Sequence, residues 1–97
     1  MNYVYMIRCK YGSLYTGWTN NLEKRFRNHC EGKGAKYTRG RGPLELVYYE
    51  VFEDKKDAMK REYAIKQLKK SEKEKLINYK SDKNLTNFEK NIIDNWK

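Results

Sequence analysis

Residues 3–29 contain two β-type runs that are separated by a glycine-bearing turn. The start of a helix follows directly. The runs at residues 3–7 (YVYMI) and 14–19 (LYTGWT) are rich in aromatic and β-branched residues, which is typical of strands. The segment Lys10-Tyr11-Gly12 fits a three-residue hairpin loop with glycine in the left-handed position. The chain is therefore predicted to open with a β-hairpin that leads straight into a helix.

The length of the hairpin loop decides which side chains share a face of the sheet. With three residues in the loop, Tyr5 lies opposite Gly17 and Ile7 lies opposite Tyr15. Tyr5 and Tyr15 then become diagonal neighbours, and one ligand can reach both hydroxyls. A two-residue loop would place the two tyrosines on opposite faces, because a slip of one residue reverses every side chain.

The helix after the hairpin is predicted to begin at Asn20. Asn20 is the expected cap, and Glu23 stands three residues later as the partner in a capping box. Leu22, Phe26 and Cys30 recur at helical spacing and are expected to form the apolar stripe.

Arg25 and His29 are four residues apart on this helix, so they lie on one face beside the apolar stripe. An arginine and a histidine at this spacing, next to Tyr5 and Tyr15, suit the binding of a phosphate. A purely structural role would also explain these four residues. The chain has nine tyrosines that could serve in the core, and Arg25 and His29 could belong to an exposed helix face.

Residues 31–43 (EGKGAKYTRGRGP) have no hydrophobic period and are predicted to form a loop. A glycine-rich backbone with several cations can approach phosphates closely, and a tyrosine ring offers a surface for base stacking. The candidate nucleic-acid contacts are Lys33, Lys36, Tyr37, Arg39 and Arg41. The alternative is a solvated connector between a helix and a strand.

The rest of the domain is predicted to add one strand and two helices. Residues 44–52 (LELVYYEVF) alternate and form a third antiparallel strand that is partly covered on both faces. Asp54 caps a helix that runs to about Leu68, and residues 71–74 (SEKE) form the capping box of a third helix. The expected fold is α+β, a three-stranded antiparallel sheet flanked by helices in the order β-β-α-β-α-α.

Glu62 is the residue of the second predicted helix that has a possible function. Together with Arg61 it falls on the apolar stripe that contains Ala58 and Ile65. An acid on a core-facing stripe is costly unless it is paired or bound to a metal ion. An ion pair with Arg25 or Arg61, or a position at the rim, would account for it without a function.

Composition indicates one small basic domain. The chain has 97 residues with 22 basic and 13 acidic side chains, a formal net charge of +9. Such an excess is typical of proteins that bind a polyanion, most often nucleic acid, although solubilising charge alone would also produce it. No apolar run approaches the ~18 residues of a membrane span, and no signal peptide opens the chain, so a cytoplasmic location is expected.

The cysteine and histidine content argues against a zinc site. His29 is the single histidine, and Cys9 and Cys30 are isolated from each other. A disulfide between the two cysteines is possible in principle, but a reduced pair is favoured in the cytosol.

The C-terminal residues form a separate segment. The predicted organisation is a domain over residues 1–80 and a tail over residues 81–97. Leu85, Phe88, Ile92 and Trp96 recur at helical spacing and predict a short amphipathic helix, marginal in isolation, that docks on the domain or on a protein partner.

The ordered motif residues resemble the GIY-YIG nuclease superfamily, and most closely its small stand-alone bacterial single-domain proteins. The resemblance covers about residues 3–79. Residues 33–41 (KGAKYTRGR) match a segment of those small proteins. Tyr3 stands where the name motif has glycine, Thr16 where it has isoleucine, and Trp18 where excision-repair relatives have lysine. The residues that carry the resemblance are Tyr3-Val4-Tyr5, Tyr15-Thr16-Gly17, Arg25, His29 and Glu62.

This resemblance implies a metal-dependent endonuclease that hydrolyses phosphodiester bonds of DNA in repair or processing. Tyr5 would act as the base, Arg25 would stabilise charge in the transition state, and Glu62 would bind Mg²⁺ or Mn²⁺. His29 and Tyr15 would share in proton transfer or hold the phosphate. The small domain predicts a preference for DNA shape or branching, or weak specificity.

Two other functions remain open at the level of sequence. One is a nucleic-acid-binding module with little or no cleavage. The other is a subunit that docks through residues 85–97 and cuts only with its partner.

Overall fold

The computed structural model describes residues 1–81 of the chain. Its strands are β1 (Asn2–Arg8), β2 (Leu14–Thr19) and β3 (Glu45–Phe52), and its helices are α1 (Leu22–Cys30), α2 (Lys55–Lys66) and α3 (Lys70–Ser81). The strands form one antiparallel sheet in the order β2-β1-β3. The predicted α+β fold and element order are confirmed. The helix predicted within residues 85–97 lies outside the described residues.

The β1–β2 hairpin has the register expected of a three-residue loop. Tyr5 pairs with Gly17 and Ile7 pairs with Tyr15. The rings of Tyr5 and Tyr15 consequently lie on one face of the sheet, with their centroids 6.3 Å apart. The alternative two-residue loop is excluded.

The tip of this hairpin is a short 3-10 turn over Lys10–Gly12. The Cys9 amide donates to the Ser13 carbonyl across 2.8 Å and closes the loop. Gly12 has the predicted left-handed conformation with φ 88°, but Tyr11 also has a positive φ of 68°. The sequence pattern predicted only the glycine.

Strand β3 pairs with β1 through one bulge. Met6 pairs with Tyr48 and the next residue of β1 pairs with Leu46, which leaves Val47 as an extra residue. Leu46 and Tyr49 therefore reach the same core, although strict alternation would place them on opposite faces. The expectation that β3 is covered on both faces is confirmed, because Tyr48 and Tyr49 are both buried in different clusters.

The sheet buries a cluster of apolar side chains on each face. Helix α1 covers one cluster, and α2 and α3 cover the other. The cluster under α1 consists of Tyr5, Ile7, Cys9, Leu22, Phe26, Leu46 and Tyr49. The opposite cluster consists of Val4, Met6, Tyr48, Ala58, Ile65 and Ile77. Alternate residues of β1 supply both clusters, so this central strand fixes the two layers relative to each other.

Helix α1 begins one residue later than predicted. Asn21 is its cap, not Asn20, and the Asn21 side chain accepts a hydrogen bond from the Lys24 amide at 3.1 Å. The buried stripe ends in His29, while Cys30 is exposed. In an α-helix, two successive steps of four residues, as from Leu22 to Cys30, end about 80° away from the starting face. A step of four and a step of three, as from Leu22 to His29, end within about 20° of that face.

The cap of α2 is the predicted one. Asp54 accepts a hydrogen bond from the Lys56 amide at 2.9 Å. The helix ends at Lys66, two residues before the predicted end at Leu68.

Helix α3 begins at Lys70, before the predicted capping box at residues 71–74. The Glu72 carboxylate accepts the Lys69 amide hydrogen at 2.9 Å, which is the acid half of a capping box without the hydroxyl half. Ile77 packs on the sheet, and Tyr79 is exposed.

The two cysteines are free thiols in the structure, Cys9 buried and Cys30 exposed. The preference for a reduced pair stays a prediction. Among the helices within residues 1–81, none combines the length and the apolar character needed to cross a membrane.

Candidate active site

Tyr5 lies at the centre of β1 and His29 in the last turn of α1, and their side chains meet in the layer between the two elements. The Tyr5 hydroxyl and His29 Nε2 are 2.9 Å apart, and both residues are buried. Gly17 makes room for this pair, since a Cβ at that position would lie 2.5 Å from the Tyr5 hydroxyl oxygen. The paired strand therefore requires a glycine where Tyr5 crosses it.

Thr38 determines which nitrogen of His29 carries the hydrogen. The Thr38 hydroxyl donates to the Ala35 carbonyl at 2.9 Å and lies 2.8 Å from His29 Nδ1. A hydroxyl has one hydrogen, so Thr38 can only accept from His29. Nδ1 therefore carries the hydrogen, and in the neutral ring Nε2 accepts the Tyr5 proton.

The pKa values of the pair agree with this hydrogen-bond direction. Burial raises the pKa of the Tyr5 hydroxyl to about 12. Burial, together with the positive charge of Arg25, lowers the pKa of His29 to about 4. At neutral pH the phenol is protonated and the imidazole is neutral, as the hydrogen-bond network requires.

Arg25 and Tyr15 extend this pair toward the surface. The Arg25 guanidinium lies beside the hydroxyls of both Tyr5 and Tyr15. The Tyr15 ring packs against the His29 ring, with centroids 5.2 Å apart. The structure therefore brings together the four predicted residues of the hairpin and α1, with the guanidinium facing two phenols.

Glu62 comes from α2 on the other side of the sheet. Its carboxylate pairs with Lys66 one turn later at 3.4 Å, and not with Arg25 or Arg61 as expected of a purely structural acid. Arg61 pairs instead with Glu50 at 3.0 Å. The Glu62 side chain is 21% exposed, and its negative charge is felt at Tyr5, whose pKa it helps to raise. Glu62 is thus an accessible carboxylate near the phenol.

The basic loop, residues 31–43, folds over the site and is not a free connector. Tyr37 stacks on Tyr15 with ring centroids 5.9 Å apart and planes 26° apart. The Arg41 guanidinium lies 4.4 Å from the Tyr37 ring centroid. Tyr37 therefore joins Arg41 to the cluster of Tyr5, Tyr15, Arg25 and His29, with 39% of its surface exposed.

The remaining cations of the basic loop point to solvent. Lys33, Lys36 and Arg39 are exposed, and the Lys33 ammonium lies 3.5 Å from the Glu31 carboxylate. These three cations therefore lie on the surface of the loop.

Comparisons with known proteins identify the family to which this fold belongs. Residues 1–78 match the model of the GIY-YIG catalytic domain. The chain belongs to the GIY-YIG family. This match confirms the resemblance based on the motif residues, and it ends near the last predicted residue of the domain.

Similar GIY-YIG proteins occur with the family designation UPF0213. The UPF0213 protein CPE1444 of Clostridium perfringens is 61% identical over 92 residues, 95% of this chain and 98% of the relative. The UPF0213 protein OB0043 of Oceanobacillus iheyensis is 59% identical over 78 residues, 80% of this chain and 91% of the relative. The first alignment is longer than residues 1–81, so it necessarily includes part of the C-terminal tail.

Two solution NMR structures share the fold. The UPF0213 protein BH0048 from Bacillus halodurans is 51% identical, with a TM-score of 0.55 over 82% of this chain and 86% of that one. The protein EF2693 from E. faecalis is 34% identical, with a TM-score of 0.58 over 88% of this chain and 91% of that one.

Sequence reasoning missed two residues of this GIY-YIG site, Thr38 and Gly34. Thr38 binds His29 from nine residues away, and no helical or strand period links the two. Gly34 was expected to let backbone approach a phosphate, but a Cβ there would lie 2.3 Å from His29 Nδ1 and 2.8 Å from His29 Cα. The sequence distinguished these two positions only as a threonine and a glycine within a loop that is otherwise rich in cations.

Metal-ligand clusters are missing from the part of the chain that the structure describes. Within residues 1–81, no group of three or more His, Cys, Asp or Glu side chains could hold a metal ion. Among the predicted site residues, only Glu62 has a carboxylate that could bind a metal ion.

Proposed function

We propose that this GIY-YIG protein is a metal-dependent endonuclease that hydrolyses phosphodiester bonds of DNA, with a preference for structure over sequence. One observation supports this proposal above the others. The buried Tyr5 hydroxyl donates to a histidine nitrogen whose acceptor state is fixed by Thr38, and a guanidinium lies beside that hydroxyl. Such an arrangement suits the activation of water next to a phosphate.

Tyr5 and His29 form a path for one proton. The attacking water gives its proton to the Tyr5 oxygen while Tyr5 gives its own proton to His29 Nε2. In the free protein this transfer is uphill, because the pKa of Tyr5 is about 12 and that of His29 about 4. The relay therefore operates only when positive charge stabilises the oxygen that loses the proton.

Arg25 supplies fixed positive charge at the required place. Its guanidinium can donate paired hydrogen bonds to phosphate oxygens, and it already lies beside the Tyr5 and Tyr15 hydroxyls. Arg25 binds the scissile phosphate and stabilises the charge that accumulates in the transition state. Tyr15 holds the same phosphate through its hydroxyl.

Glu62 fits a role as the protein ligand of Mg²⁺ or Mn²⁺. A carboxylate oxygen is a suitable ligand for these hard cations, and the Glu62 side chain is accessible. One carboxylate does not make a tight site, so water and a substrate phosphate must complete the coordination. When bound, such an ion would supply positive charge to the phosphate and its leaving oxygen.

The basic loop supports DNA as the substrate. Exposed Lys36 and Arg39 can neutralise phosphates on either side of the scissile one, which gives affinity without sequence information. The domain has little surface for reading bases, so DNA shape is the feature it can select.

A cleavage assay tests the proposal. Labelled single-stranded, duplex, flap and branched DNA are incubated with the protein in Mg²⁺, Mn²⁺ or EDTA. Arg25→Ala and Glu62→Gln should lose cutting by at least about a hundredfold, because each removes charge from the transition state. Arg27→Ala is the matched control, since Arg27 is exposed on the same helix.

The outcomes of this assay test the nuclease activity, the site assignment and the preference for DNA structure. Metal-dependent cutting that is lost in both site variants but kept in Arg27→Ala supports the nuclease. Cutting that persists in Arg25→Ala and Glu62→Gln would show that the site is misassigned. A ladder of strong sequence-specific cuts on plain duplex would overturn the structural preference.

A nucleic-acid-binding module without cleavage is the second candidate. The Glu62–Lys66 ion pair at 3.4 Å favours it, because the ammonium competes with a metal ion for the single carboxylate. Binding of every DNA substrate with no cutting in any metal would support this candidate. In that case Glu62→Gln should bind DNA as tightly as the unmodified protein.

Partner-dependent cutting through residues 85–97 remains a prediction, since that segment lies outside the described residues. A truncation that ends before Asp82 tests it. Activity and partner binding that survive the truncation unchanged would exclude a docking role.

A further inference from the structure

The tip of the β1–β2 hairpin presents a tyrosine ring to solvent. Tyr11 is 93% exposed, the highest value among the large hydrophobic side chains of the described residues. Burial in the core does not account for it, and the hairpin would close as well with a small residue at this position. An exposed aromatic ring on a basic protein is suited to stacking on an unpaired base.

The backbone at Tyr11 adopts a conformation that side chains usually avoid. Its φ of 68° lies in the left-handed region, where residues with a Cβ are disfavoured and where glycine or asparagine is normal. Strained residues of this kind are concentrated at functional sites. The strain at Tyr11 therefore points to a use for the ring itself.

Cations from two segments lie at the hairpin tip, one at the ring of Tyr11 and one at the neighbouring Gly12. Lys10 Nζ lies 5.2 Å from the Tyr11 ring centroid. Lys70 Nζ, at the start of α3, lies 3.6 Å from the position that a Cβ on Gly12 would occupy. Two positive charges next to an exposed ring match a nucleotide, which has a flat base and a negative phosphate.

An ion pair holds α3 beside the hairpin. The Arg8 guanidinium donates two hydrogen bonds of 2.7 Å each to the two carboxylate oxygens of Glu74. Arg8 is the last residue of β1 and Glu74 lies one turn after Lys70 in α3, so this bidentate pair holds the start of α3 next to the hairpin. Lys70 is thereby kept near Tyr11 by a fixed contact.

The hairpin tip is joined to the candidate active site through Arg41. The Lys10 amide donates to the Arg41 carbonyl at 2.7 Å, while the Arg41 guanidinium covers Tyr37, which stacks on Tyr15. Tyr11 at the tip and Tyr15 in β2 therefore belong to the same hairpin, four residues apart in the chain.

We propose that the hairpin tip is a second nucleic-acid contact, at which an unpaired base stacks on Tyr11 while Lys10 and Lys70 bind the flanking phosphates. This inference rests on the proposed function and refines it, because it names single-stranded nucleotides near the cut as the feature that is selected. Fully paired DNA has no free base to offer to Tyr11.

The test measures binding in EDTA, so that it does not depend on cleavage. Fluorescence anisotropy compares a labelled single-stranded 12-mer, a flap substrate and a blunt duplex. Tyr11→Gly should weaken binding of the first two by about five- to 150-fold, which is the range that one stacked base contributes. Binding of the blunt duplex should change by less than about twofold.

Three control measurements accompany this test. Tyr11→Phe keeps the ring and should bind like the unmodified protein. Tyr79→Ala removes an exposed tyrosine of α3, nine residues beyond Lys70, and should also have no effect. The melting temperature of Tyr11→Gly should equal or exceed that of the unmodified protein, because glycine relieves the positive φ.

Contrary results fall into distinct classes. If the unmodified protein binds single-stranded DNA and Tyr11→Gly binds it equally well, the stacking contact is wrong and the nuclease proposal stands. If Tyr11→Phe is as weak as Tyr11→Gly, the ring does not act by stacking. If the unmodified protein binds none of the three DNAs, the proposed function fails together with this inference.

Discussion

His29 donates its Nδ1 hydrogen to the Thr38 hydroxyl across 2.8 Å, and this contact sets the chemistry of the opposite nitrogen. Thr38 passes its own hydrogen to the Ala35 carbonyl, so it cannot donate to the ring. The basic loop thus does more than carry cations. It holds the imidazole in the tautomer that accepts a proton from Tyr5.

Thr38→Val should therefore remove the constraint on the tautomer of His29, because valine has the shape of threonine but no hydroxyl. The buried Nδ1 hydrogen loses its acceptor, which should lower the free energy of unfolding by about 1–3 kcal/mol. Cleavage should fall by about ten- to a hundredfold, less than the full 10²–10⁴ of general base catalysis. Nitrogen NMR can read the tautomer directly, because His29 is the single histidine of the chain.

Thr38→Ser is the matched control for that experiment. Serine keeps the hydroxyl and should restore both the Nδ1–H tautomer and most of the activity. A Thr38→Val protein with the same tautomer and the same cleavage rate would show that Thr38 has no positioning role.

Acidification should destabilise the protein through His29. Burial lowers the pKa of His29 to about 4 in the folded state, while the unfolded chain titrates near its ordinary value of 6.5. Between these values the unfolded state binds more protons. The His29 contribution is thus fully present above pH 6.5 and is lost as the pH falls toward 4, about 3 kcal/mol in all.

Urea unfolding from pH 7 to pH 4 measures this loss. His29→Gln provides the reference, because its stability lacks the histidine contribution but keeps that of every carboxylate. The difference between the two curves should shrink as the pH falls. A constant difference over this range would mean that His29 titrates normally when folded.

The hairpin register shows how much of the site the sequence could predict. Loop length and alternation placed Tyr5 opposite Gly17, and the structure has this pairing. Helical spacing likewise placed Arg25 and His29 together. Both predictions depend on local geometry, which a period of two or of 3.6 residues determines.

Contacts that depend on the path of a loop could not be predicted in this way. Thr38 reaches His29 only because the loop turns back over α1, and no pattern in residues 31–43 specifies that turn. Glu62 had several cations within reach by spacing, and only the packed structure selects Lys66. The one-residue error at Asn20 arose because two adjacent asparagines are equally good caps.

Gly17→Ala and Gly34→Ala should impair the site without removing any polar group. The added methyl would lie 2.5 Å from the Tyr5 hydroxyl oxygen in the first variant and 2.3 Å from His29 Nδ1 in the second. Both variants should lose cleavage by about a hundredfold or more, because a shift of about 1 Å has that effect. Gly34→Ala should also unfold more easily, since its methyl meets the His29 backbone.

Gly42→Ala is the control for both glycine variants. A Cβ at Gly42 meets nothing within 4 Å, and its φ is not positive. It should match the unmodified protein in cleavage and in melting temperature. Equal activity of all three variants would contradict the close contacts at Tyr5 and His29.

Lys36→Ala and Arg39→Ala should each weaken DNA binding to a similar degree on every sequence. Both side chains are exposed, so the fold should be unaffected. If each binds one phosphate, the slope of log affinity against log salt should decrease in magnitude by about 0.9 per variant on duplex DNA. Lys33→Ala should have a smaller effect, because Lys33 is paired with Glu31. Slopes equal to that of the unmodified protein would exclude phosphate contacts by this loop.

Lys66→Met should increase the affinity of the candidate site for Mg²⁺. The Lys66 ammonium lies 3.4 Å from the Glu62 carboxylate and must give way when a cation binds there. An accessible ion pair of this kind is worth about 0.2–1 kcal/mol, so the Mg²⁺ concentration for half-maximal cleavage should fall by about 1.4- to fivefold. Methionine keeps the apolar stem of the side chain, and therefore its packing.

Lys60→Met is the control for this experiment. It removes the same charge from the same helix, but a residue two positions from Glu62 does not face it. A shift in Lys66→Met that is no larger than in Lys60→Met would mean that Glu62 does not bind the metal ion.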